Sequence, residues 1–155
     1  MRKSIRAAAI VIKDNKILLM FRRKNGKEYY VLPGGGVEDN ESVENATLRE
    51  LLEETSIKAK IKKLLYEHHY TDDGDQYYFL CDYVSGKAML GKGVEKERMD
   101  NHLEIYKPEW VKLLNLKSIL LYPLEIRDWV IQDFPNFENT PRKTNLRTIN
   151  LRQTL

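Results

Sequence analysis

The alternation of apolar and polar positions in the first third of the chain predicts short β-strands. Residues 5–12 and 16–22 are rich in Ala, Ile, Val and Leu, and only three polar residues separate the two runs. Such a pair is typical of an antiparallel hairpin. The Asn25-Gly26 pair accepts the positive φ angles of a tight turn. We therefore expect it to lead into a further strand at residues 29–32, which Pro33 ends.

The pattern changes to that of a helix at residues 42–55, which contain Leu, Glu, Ala and Arg but no Gly or Pro. This composition favours an α-helix. Residues 58–71 and 76–86 are rich in aromatic and aliphatic residues and flank Asp73-Gly74, which predicts two antiparallel strands. A loop is expected at residues 86–103, because this segment is polar and contains Gly.

The last third of the chain predicts one more strand and one more helix. Residues 104–113 are expected to form the last strand, in which Pro108 indicates an edge position or a bulge. Residues 123–133 are expected to form the second helix, with Pro123 near its start. From Phe134 onwards the chain is polar and basic, and we expect a loosely packed tail.

The length of 155 residues supports one mixed α/β domain, which we place at residues 1–134 before a basic C-terminal tail at residues 135–155. With 42% hydrophobic and 32% charged residues, the composition is that of a globular protein. The single Cys81 cannot form an internal disulfide, so we expect a reducing cytoplasm. The apolar stretch at residues 7–12 is far shorter than a membrane span, and no membrane association is expected.

The net charge of +3 is modest, but basic residues concentrate at both ends of the chain. Residues 1–27 hold nine Lys or Arg against a single acid, and residues 139–155 hold four against none. Positive surface attracts phosphate groups, so this distribution fits a nucleotide substrate or a polynucleotide equally well. Ordinary solubilising charge is the alternative explanation.

The segment at residues 32–57 carries the candidate chemistry. The three glycines at residues 34–36 follow an expected strand, and they let the backbone approach a ligand because no side chain blocks it. At about 100° per residue, Glu50, Glu53 and Glu54 fall within roughly a 100° arc of one helix face. The leucines fall on the opposite side and are expected to pack into the core; they are Leu48, Leu51 and Leu52.

A divalent cation would compensate the repulsion among these carboxylates, since like charges four residues apart destabilise a helix. Carboxylates are hard oxygen ligands that suit Mg²⁺ or Mn²⁺, and these ions also bind substrate phosphates. The clustered acids therefore indicate metal-assisted phosphate chemistry. A solvated acidic helix face is the alternative, and the carboxylates alone favour it.

The spacing of the acids reverses that preference. From Gly35 the chain has five residues, then Glu41, then seven residues, then Arg49-Glu50-Leu51-x-Glu53-Glu54-x-Ser56-Ile57. This pattern resembles the Nudix box over residues 35–57, with a single departure. Ser56 stands where the family has Gly, at a helix end that favours a left-handed residue. The cost is up to about 1 kcal/mol, and we expect the departure not to abolish activity.

The resemblance implies a Nudix-type α/β/α sandwich with a mixed β-sheet and a hydrolase that needs Mg²⁺ or Mn²⁺. Such an enzyme cleaves the pyrophosphate linkage of a nucleoside diphosphate derivative by water attack on phosphorus. Nucleoside triphosphates, ADP-ribose, nucleotide sugars, dinucleoside polyphosphates and capped RNA all stay open as substrates, and no other nucleic acid is expected. A homodimer is common in the family. The alternative is a non-catalytic module that senses nucleotides or binds RNA.

The same resemblance assigns roles within the helix. Glu53 and Glu54 are the principal metal ligands, and Glu50 is either a ligand or the base that deprotonates water. Arg49 pairs with Glu41 and so holds the loop against the helix, which preorganises the metal site.

Two further metal ligands are implied outside the helix. One is the backbone carbonyl of Gly34 or Gly35, which explains the absence of side chains there. The other is a carboxylate from a distant loop, for which we choose Glu95, with Glu97 second. A solvent-facing position is the alternative for these loop acids.

Substrate contacts are expected from the strand and turn that lead into the glycine segment. Arg22, Arg23 and Lys27 lie there and could reach phosphates, while Tyr30 could stack on a base. Aromatic residues in strands more often belong to the core, which is the alternative for Tyr30.

Overall fold

The computed structural model describes residues 4–70, 74–91 and 104–147. Its strands, in chain order, are β1 (Ile5–Lys13), β2 (Lys16–Lys24), β3 (Lys27–Val31), β4 (Gly34–Gly36), β5 (Lys58–Tyr70), β6 (Gly74–Ser85), β7 (Glu104–Lys112), β8 (Leu121–Tyr122) and β9 (Lys143–Arg147). The two α-helices are α1 (Val43–Thr55) and α2 (Leu124–Asp133), and short 3₁₀ turns lie at Leu113–Ser118 and Phe137–Asn139. In the described residues, no helix has the length and hydrophobicity needed to cross a bilayer.

The strands form one mixed sheet with two halves. In the first half, β1 pairs in parallel with β6 and antiparallel with β4, while β5 pairs antiparallel with β6 and in parallel with β9. In the second half, β2 pairs antiparallel with β3 and β7, and β3 pairs in parallel with β8. The halves join where the β1–β2 hairpin closes, with Ile12 opposite Ile17. The predicted mixed sheet is confirmed.

The two helices cover opposite faces of the first half of the sheet. Ala9 and Val11 of β1 pack in one core cluster with Leu51 of α1. Ile10, which points to the other face of the same strand, packs in the second cluster with Ile126 of α2. The predicted α/β/α sandwich is therefore confirmed.

Most of the predicted elements form, with differences in three places. Residues 104–113 do not hold the last strand, because β8 and β9 follow β7. The glycines at residues 34–36 form the short strand β4 rather than a loop. Leu52 was expected in the core, but it is 43% exposed, because it turns outward from the face that buries Leu51. Pro108 lies in an edge strand, as predicted, since β7 pairs with β2 alone among the described strands.

The loosely packed tail expected from Phe134 onwards is wrong for residues 137–147. Phe137 is only 5% exposed and belongs to the α2-side core. Lys63 of β5 donates through Nζ to the backbone carbonyls of Phe137 and Thr140, at 3.1 and 2.6 Å. The strand β9 then completes the edge of the sheet beside β5. A single buried aromatic among polar residues carries too little periodicity to reveal this packing from sequence. Residues 148–155 of the predicted tail lie outside the described residues.

Replacing Phe137 by Ala should lower the free energy of unfolding by about 3–5 kcal/mol, as is typical of a buried Phe in a well-packed core. Urea denaturation measures this change. The matched control is Leu114→Ala, which should stay within about 0.5 kcal/mol of the wild type, because Leu114 is 88% exposed. Equal stabilities of Phe137→Ala and the wild type would show that the segment after α2 is not part of the core.

Candidate active site

The helix α1 has a defined start and a defined end. Ser42 caps the N-terminus, where its hydroxyl accepts a hydrogen bond from the Asn45 amide at 3.0 Å. At the C-terminus, Ser56 adopts a left-handed conformation with φ of 65°, and its amide donates to the Leu52 carbonyl at 2.9 Å. The family pattern has Gly at this position. A left-handed φ favours Gly, so Ser56 adopts this conformation at an energetic cost.

The glycine strand β4 brings its backbone against the acids of α1. The Gly34 amide donates to Oε1 of Glu54 at 2.7 Å. A Cβ atom added at Gly35 would lie 2.4 Å from Cδ of Glu50. Only glycine at position 35 leaves room for the Glu50 carboxylate in this position, and the glycine strand is therefore in direct contact with two acids of α1.

Arg49 ties the loop, the helix and the glycine strand together. Its Nε and Nη2 atoms donate to the two carboxylate oxygens of Glu41, at 2.7 and 2.9 Å. Nη1 donates to Oε1 of Glu50 at 2.9 Å, and Nη2 donates to the Gly36 carbonyl at 3.0 Å. The expected Arg49–Glu41 pair is thus present, and the sequence did not indicate the contact with Gly36.

The hydrogen bonds between Arg49 and Glu41 shift the pKa values of both groups. They are the main cause that lowers the pKa of Glu41 to about 2, and a hydrogen bond from the Glu38 amide adds to the effect. The same Glu41 bonds raise the pKa of Arg49 above its usual value. Both groups are therefore ionised at neutral pH.

The three candidate metal-binding acids of the helix differ in burial. Glu54 is only 6% exposed. The side chain of Glu50 is 18% exposed and that of Glu53 is 49% exposed. A buried carboxylate must be hydrogen-bonded or paired, and the Gly34 amide meets this need for Glu54.

The donor set fits a hard divalent cation. No group of three or more His, Cys, Asp or Glu is assembled at ligating distance within residues 4–70, 74–91 and 104–147. Mg²⁺ does not require such a cage, because it keeps several waters and binds through one or two carboxylates plus phosphates. The Glu50 carboxylate lies in the space that a side chain at Gly35 would fill. We take this oxygen-rich cradle as compatible with Mg²⁺ or Mn²⁺.

The loop acids predicted as distal ligands cannot be placed. Glu95, the chosen ligand, and Glu97 lie outside the described residues. Glu104 follows that gap, and it accepts a hydrogen bond from the Tyr106 hydroxyl and lies 3.9 Å from Nζ of Lys24. The role of Glu95 stays a prediction.

The predicted substrate-binding residues do not converge on one pocket. Arg22 and Lys27 belong to one face of the β2–β3 ribbon, and Arg23 and Tyr30 to the other, since side chains alternate along each strand. Their roles in binding stay predictions.

Three of these side chains make specific contacts in the structure. Arg23 donates to Glu28 at 2.6 Å. Tyr30 donates to Glu109 at 2.9 Å, and burial together with this contact raises its pKa to about 12. Arg22 lies over the Tyr106 ring at 4.9 Å, and its buried Nε has no hydrogen-bond partner among the described residues. Arg22 thus has a buried Nε without a hydrogen-bond partner among the described residues, whereas Arg23 and Tyr30 are hydrogen-bonded to acids.

Sequence reasoning missed a segment that lies against the helix. Residues 86–91, which we call the strap, follow β6 and were expected only as part of a polar loop. The Met89 amide donates to the Thr55 carbonyl at 2.9 Å. Glycines at both ends of the strap are the one signal of this close packing in the sequence.

Comparison with known sequences identifies relatives of this chain. The family model described as NUDIX domain matches residues 3–131. A relative named ADP-ribose pyrophosphatase, from Methanocaldococcus jannaschii, is 40% identical over 88 residues, which are 53% of this chain and 52% of that protein. A relative named RNA pyrophosphohydrolase, from Pasteurella multocida, is 40% identical over 57 residues, or 37% of this chain and 29% of that protein. The chain thus matches about half or less of the length of these relatives.

Solved structures share the fold at lower identity. A NUDIX hydrolase from Nitrosomonas europaea has a TM-score of 0.71 at 16% identity, over 95% of this chain and 81% of that one. An ADP-ribose pyrophosphatase from Streptococcus suis has a TM-score of 0.68 at 16% identity, over 93% of this chain and all of that one. At these identities the likeness shows the fold alone.

The three glycines of β4 should respond differently to replacement by Ala. At Gly34 the new Cβ would lie 2.4 Å from the Ala7 carbonyl oxygen, so the backbone must move and stability should fall by about 1–3 kcal/mol. At Gly35 the obstacle is the end of the flexible Glu50 side chain, so stability should change by less than about 1 kcal/mol while the carboxylate is displaced. Gly36→Ala meets nothing within 4 Å and is the control.

Urea denaturation of the three variants measures these differences. Equal losses at positions 34, 35 and 36 would contradict the placement of β4 between β1 and α1.

Proposed function

Since this chain belongs to the Nudix family, whose domain model matches residues 3–131, we propose that it is a Mg²⁺-dependent pyrophosphohydrolase. In this proposal it cleaves the pyrophosphate linkage of a nucleoside diphosphate derivative by water attack on phosphorus. The observation that carries the proposal is the contact of Glu50 and Glu54 with the glycine strand. A merely solvated acidic helix face would not need a backbone without side chains beside it.

The proposal gives each acid a separate task. Glu53 and Glu54 hold the cation, and Glu50 is either a third ligand or the base that accepts the proton of the attacking water. A divalent cation held by these residues would neutralise developing negative charge and lower the pKa of water. The backbone carbonyl of Gly34 or Gly35 would add one more oxygen, and Glu95 is our choice for the distal carboxylate.

Arg49 and Glu41 orient the Glu50 carboxylate. The guanidinium donates to Glu50 at 2.9 Å while two bonds to Glu41 fix its plane. A side chain held by several partners loses less freedom when it enters the reaction. Arg49 thus holds the Glu50 carboxylate in place beside the glycine strand.

The substrate is proposed at the level of its class. Relatives carry the names ADP-ribose pyrophosphatase, RNA pyrophosphohydrolase and putative 8-oxo-dGTP diphosphatase. All three names concern phosphoanhydride bonds of nucleotides or RNA ends. We place Arg22 first among the substrate-binding candidates, because its buried Nε has no hydrogen-bond partner among the described residues. Arg23, Lys27 and Tyr30 are proposed for more peripheral contacts.

The proposed compartment is a reducing cytoplasm. Cys81 is a buried free thiol, and burial raises its pKa to about 12. Such a thiol is protonated and inert at neutral pH. A homodimer stays part of the proposal without a structural argument.

The basic C-terminal residues favour a second candidate function, a module that binds RNA without turnover. Residues 139–155 hold four Lys or Arg and no acid. Several phosphate contacts to RNA would give a steep loss of affinity with added salt. Binding that is absent or insensitive to salt would leave the hydrolase as the only candidate.

The test of function is hydrolysis of a substrate panel with Mg²⁺ and with a chelator, with products separated by chromatography. The panel contains nucleoside triphosphates, 8-oxo-dGTP, ADP-ribose, a nucleotide sugar, a dinucleoside polyphosphate and 5′-triphosphorylated or capped RNA. Metal-dependent cleavage of a member would support the hydrolase and name its substrate class. If the folded protein cleaves no member of the panel, the proposed hydrolase activity is wrong.

Glu54→Gln and Glu50→Gln should each lower kcat by at least about 100-fold, in the range of losing a catalytic or metal-binding group. Gln at position 54 can still accept the Gly34 hydrogen bond, so the fold should stay intact. Glu44→Gln is the matched control, because Glu44 is an exposed acid in the first turn of the same helix. Steady-state kinetics on the cleaved substrate, with circular dichroism, measures these effects. Normal turnover in either variant would remove the role assigned to that residue.

A further inference from the structure

The strap lies along the last turn of α1, which carries Glu53 and Glu54. A helix leaves its last four carbonyl groups without partners inside the helix. In α1 the Ser56 amide satisfies the Leu52 carbonyl. The strap supplies contacts to the carbonyls that follow.

Met89 forms a reciprocal pair of hydrogen bonds with the end of the helix. Its amide donates to the Thr55 carbonyl at 2.9 Å. Its carbonyl accepts from Oγ of Ser56 at 3.0 Å. One residue of the strap is thereby fixed at two points to two neighbouring residues of the turn.

The two glycines of the strap permit a close approach to the helix on either side of Met89. A Cβ atom at Gly91 would lie 1.8 Å from the Glu53 carbonyl oxygen. At Gly86, which has φ of 108°, it would lie 2.5 Å from the Ser56 carbonyl oxygen. These obstacles are backbone atoms, so a side chain at either position would separate the strap from the helix or displace the turn.

The turn is consequently held from two sides. On the inside, the Gly34 amide holds the Glu54 carboxylate. On the outside, the strap holds the backbone from Glu53 to Ser56. We propose that Ser56 and Gly91 are positioning residues of the metal site, which seat the strap and so hold Glu53 and Glu54 in the orientation that binds the divalent cation. This inference rests on the proposed function, because it takes Glu53 and Glu54 as metal ligands.

The proposal also accounts for the single departure from the Nudix box. The left-handed φ of 65° at residue 56 favours Gly. Gly has no hydroxyl, however, and could not bind the Met89 carbonyl. In this chain, Ser56 adopts the less favourable backbone conformation, and its hydroxyl supplies the hydrogen bond to the Met89 carbonyl, which we call the tether.

Four residues at position 56 separate the tether from the backbone effect. Ser and Asn carry a side-chain donor, whereas Ala and Gly carry none. Gly and Asn adopt the left-handed conformation readily, whereas Ser and Ala do so at a cost. The series of wild type, Ser56→Asn, Ser56→Ala and Ser56→Gly therefore covers all four combinations.

Two measurements are made on each protein. Electron paramagnetic resonance of free Mn²⁺ gives the Kd for the metal, and hydrogen exchange in metal-free protein gives the protection of the Met89 amide. Ser56→Ala and Ser56→Gly should weaken Mn²⁺ binding by about three- to tenfold, as expected for the loss of one exposed hydrogen bond. They should also speed exchange at Met89, whereas Ser56→Asn should match the wild type in both.

Gly91→Ala should weaken Mn²⁺ binding at least as much, and the Ser56 series decides the matter should that variant not fold. Ser118→Ala is the matched control. Its hydroxyl donates to the Asn115 carbonyl at 2.8 Å, an exposed bond of the same kind away from α1. Its loss should leave Mn²⁺ binding unchanged.

Three outcomes would overturn the inference. If the Kd is equal across the series, or follows backbone preference with Gly and Asn tightest, Ser56 does not act through the strap. The proposed function stands in that case, because the wild type binds metal. A wild type that does not bind Mn²⁺ would overturn the proposed function and this inference together.

Discussion

The site depends on the close approach of the glycine strand β4 to the carboxylates of Glu50 and Glu54. Removing a carboxylate from water is costly unless a hydrogen bond replaces the water. The 2.7 Å bond from the Gly34 amide to Glu54 does this, and a bond to a charged group contributes about 1.5–3 kcal/mol net. The approach in turn requires β4 to pair with β1 and requires small side chains on β1 beneath the helix. Ala7 and Ala9, both fully buried, meet that requirement.

Arg49 extends this constraint from two residues to the whole loop. Its planar guanidinium presents several donors in a fixed fork, which a lysine could not reproduce. One side chain contacts the loop through Glu41, the helix through Glu50 and the glycine strand through the Gly36 carbonyl. The arrangement therefore fixes the position of Glu50 relative to the loop and the glycine strand.

Sequence reasoning succeeded where local chemistry determined structure. The Gly-rich segment and the helix of residues 42–55 follow from residue type and spacing, whereas the Arg49–Glu41 pair follows from the resemblance to the Nudix box. The structure has all three. It failed where the decisive contact joins distant parts of the chain. Phe137 in the core, β9 beside β5 and Met89 on the end of α1 depend on tertiary packing that no short-range pattern encodes. The predicted burial of Leu52 was wrong for another reason. In a helix of 3.6 residues per turn, only part of the leucine face can reach the sheet, and Leu52 is exposed.

The order of the strands has a consequence for synthesis of the protein. The strand β9 pairs with β5, whose partner residues lie 77 positions earlier, as in Tyr66 opposite Lys143. The acids, the glycine strand, β1, β6 and the strap all belong to the first 91 residues. During translation from the N-terminus, the acid site can therefore assemble while the edge of the sheet beside β5 is still unpaired. An unpaired edge is a template for association with other chains. The helix acids and the glycine strand are thus synthesised before the strand that protects this edge of the sheet against aggregation.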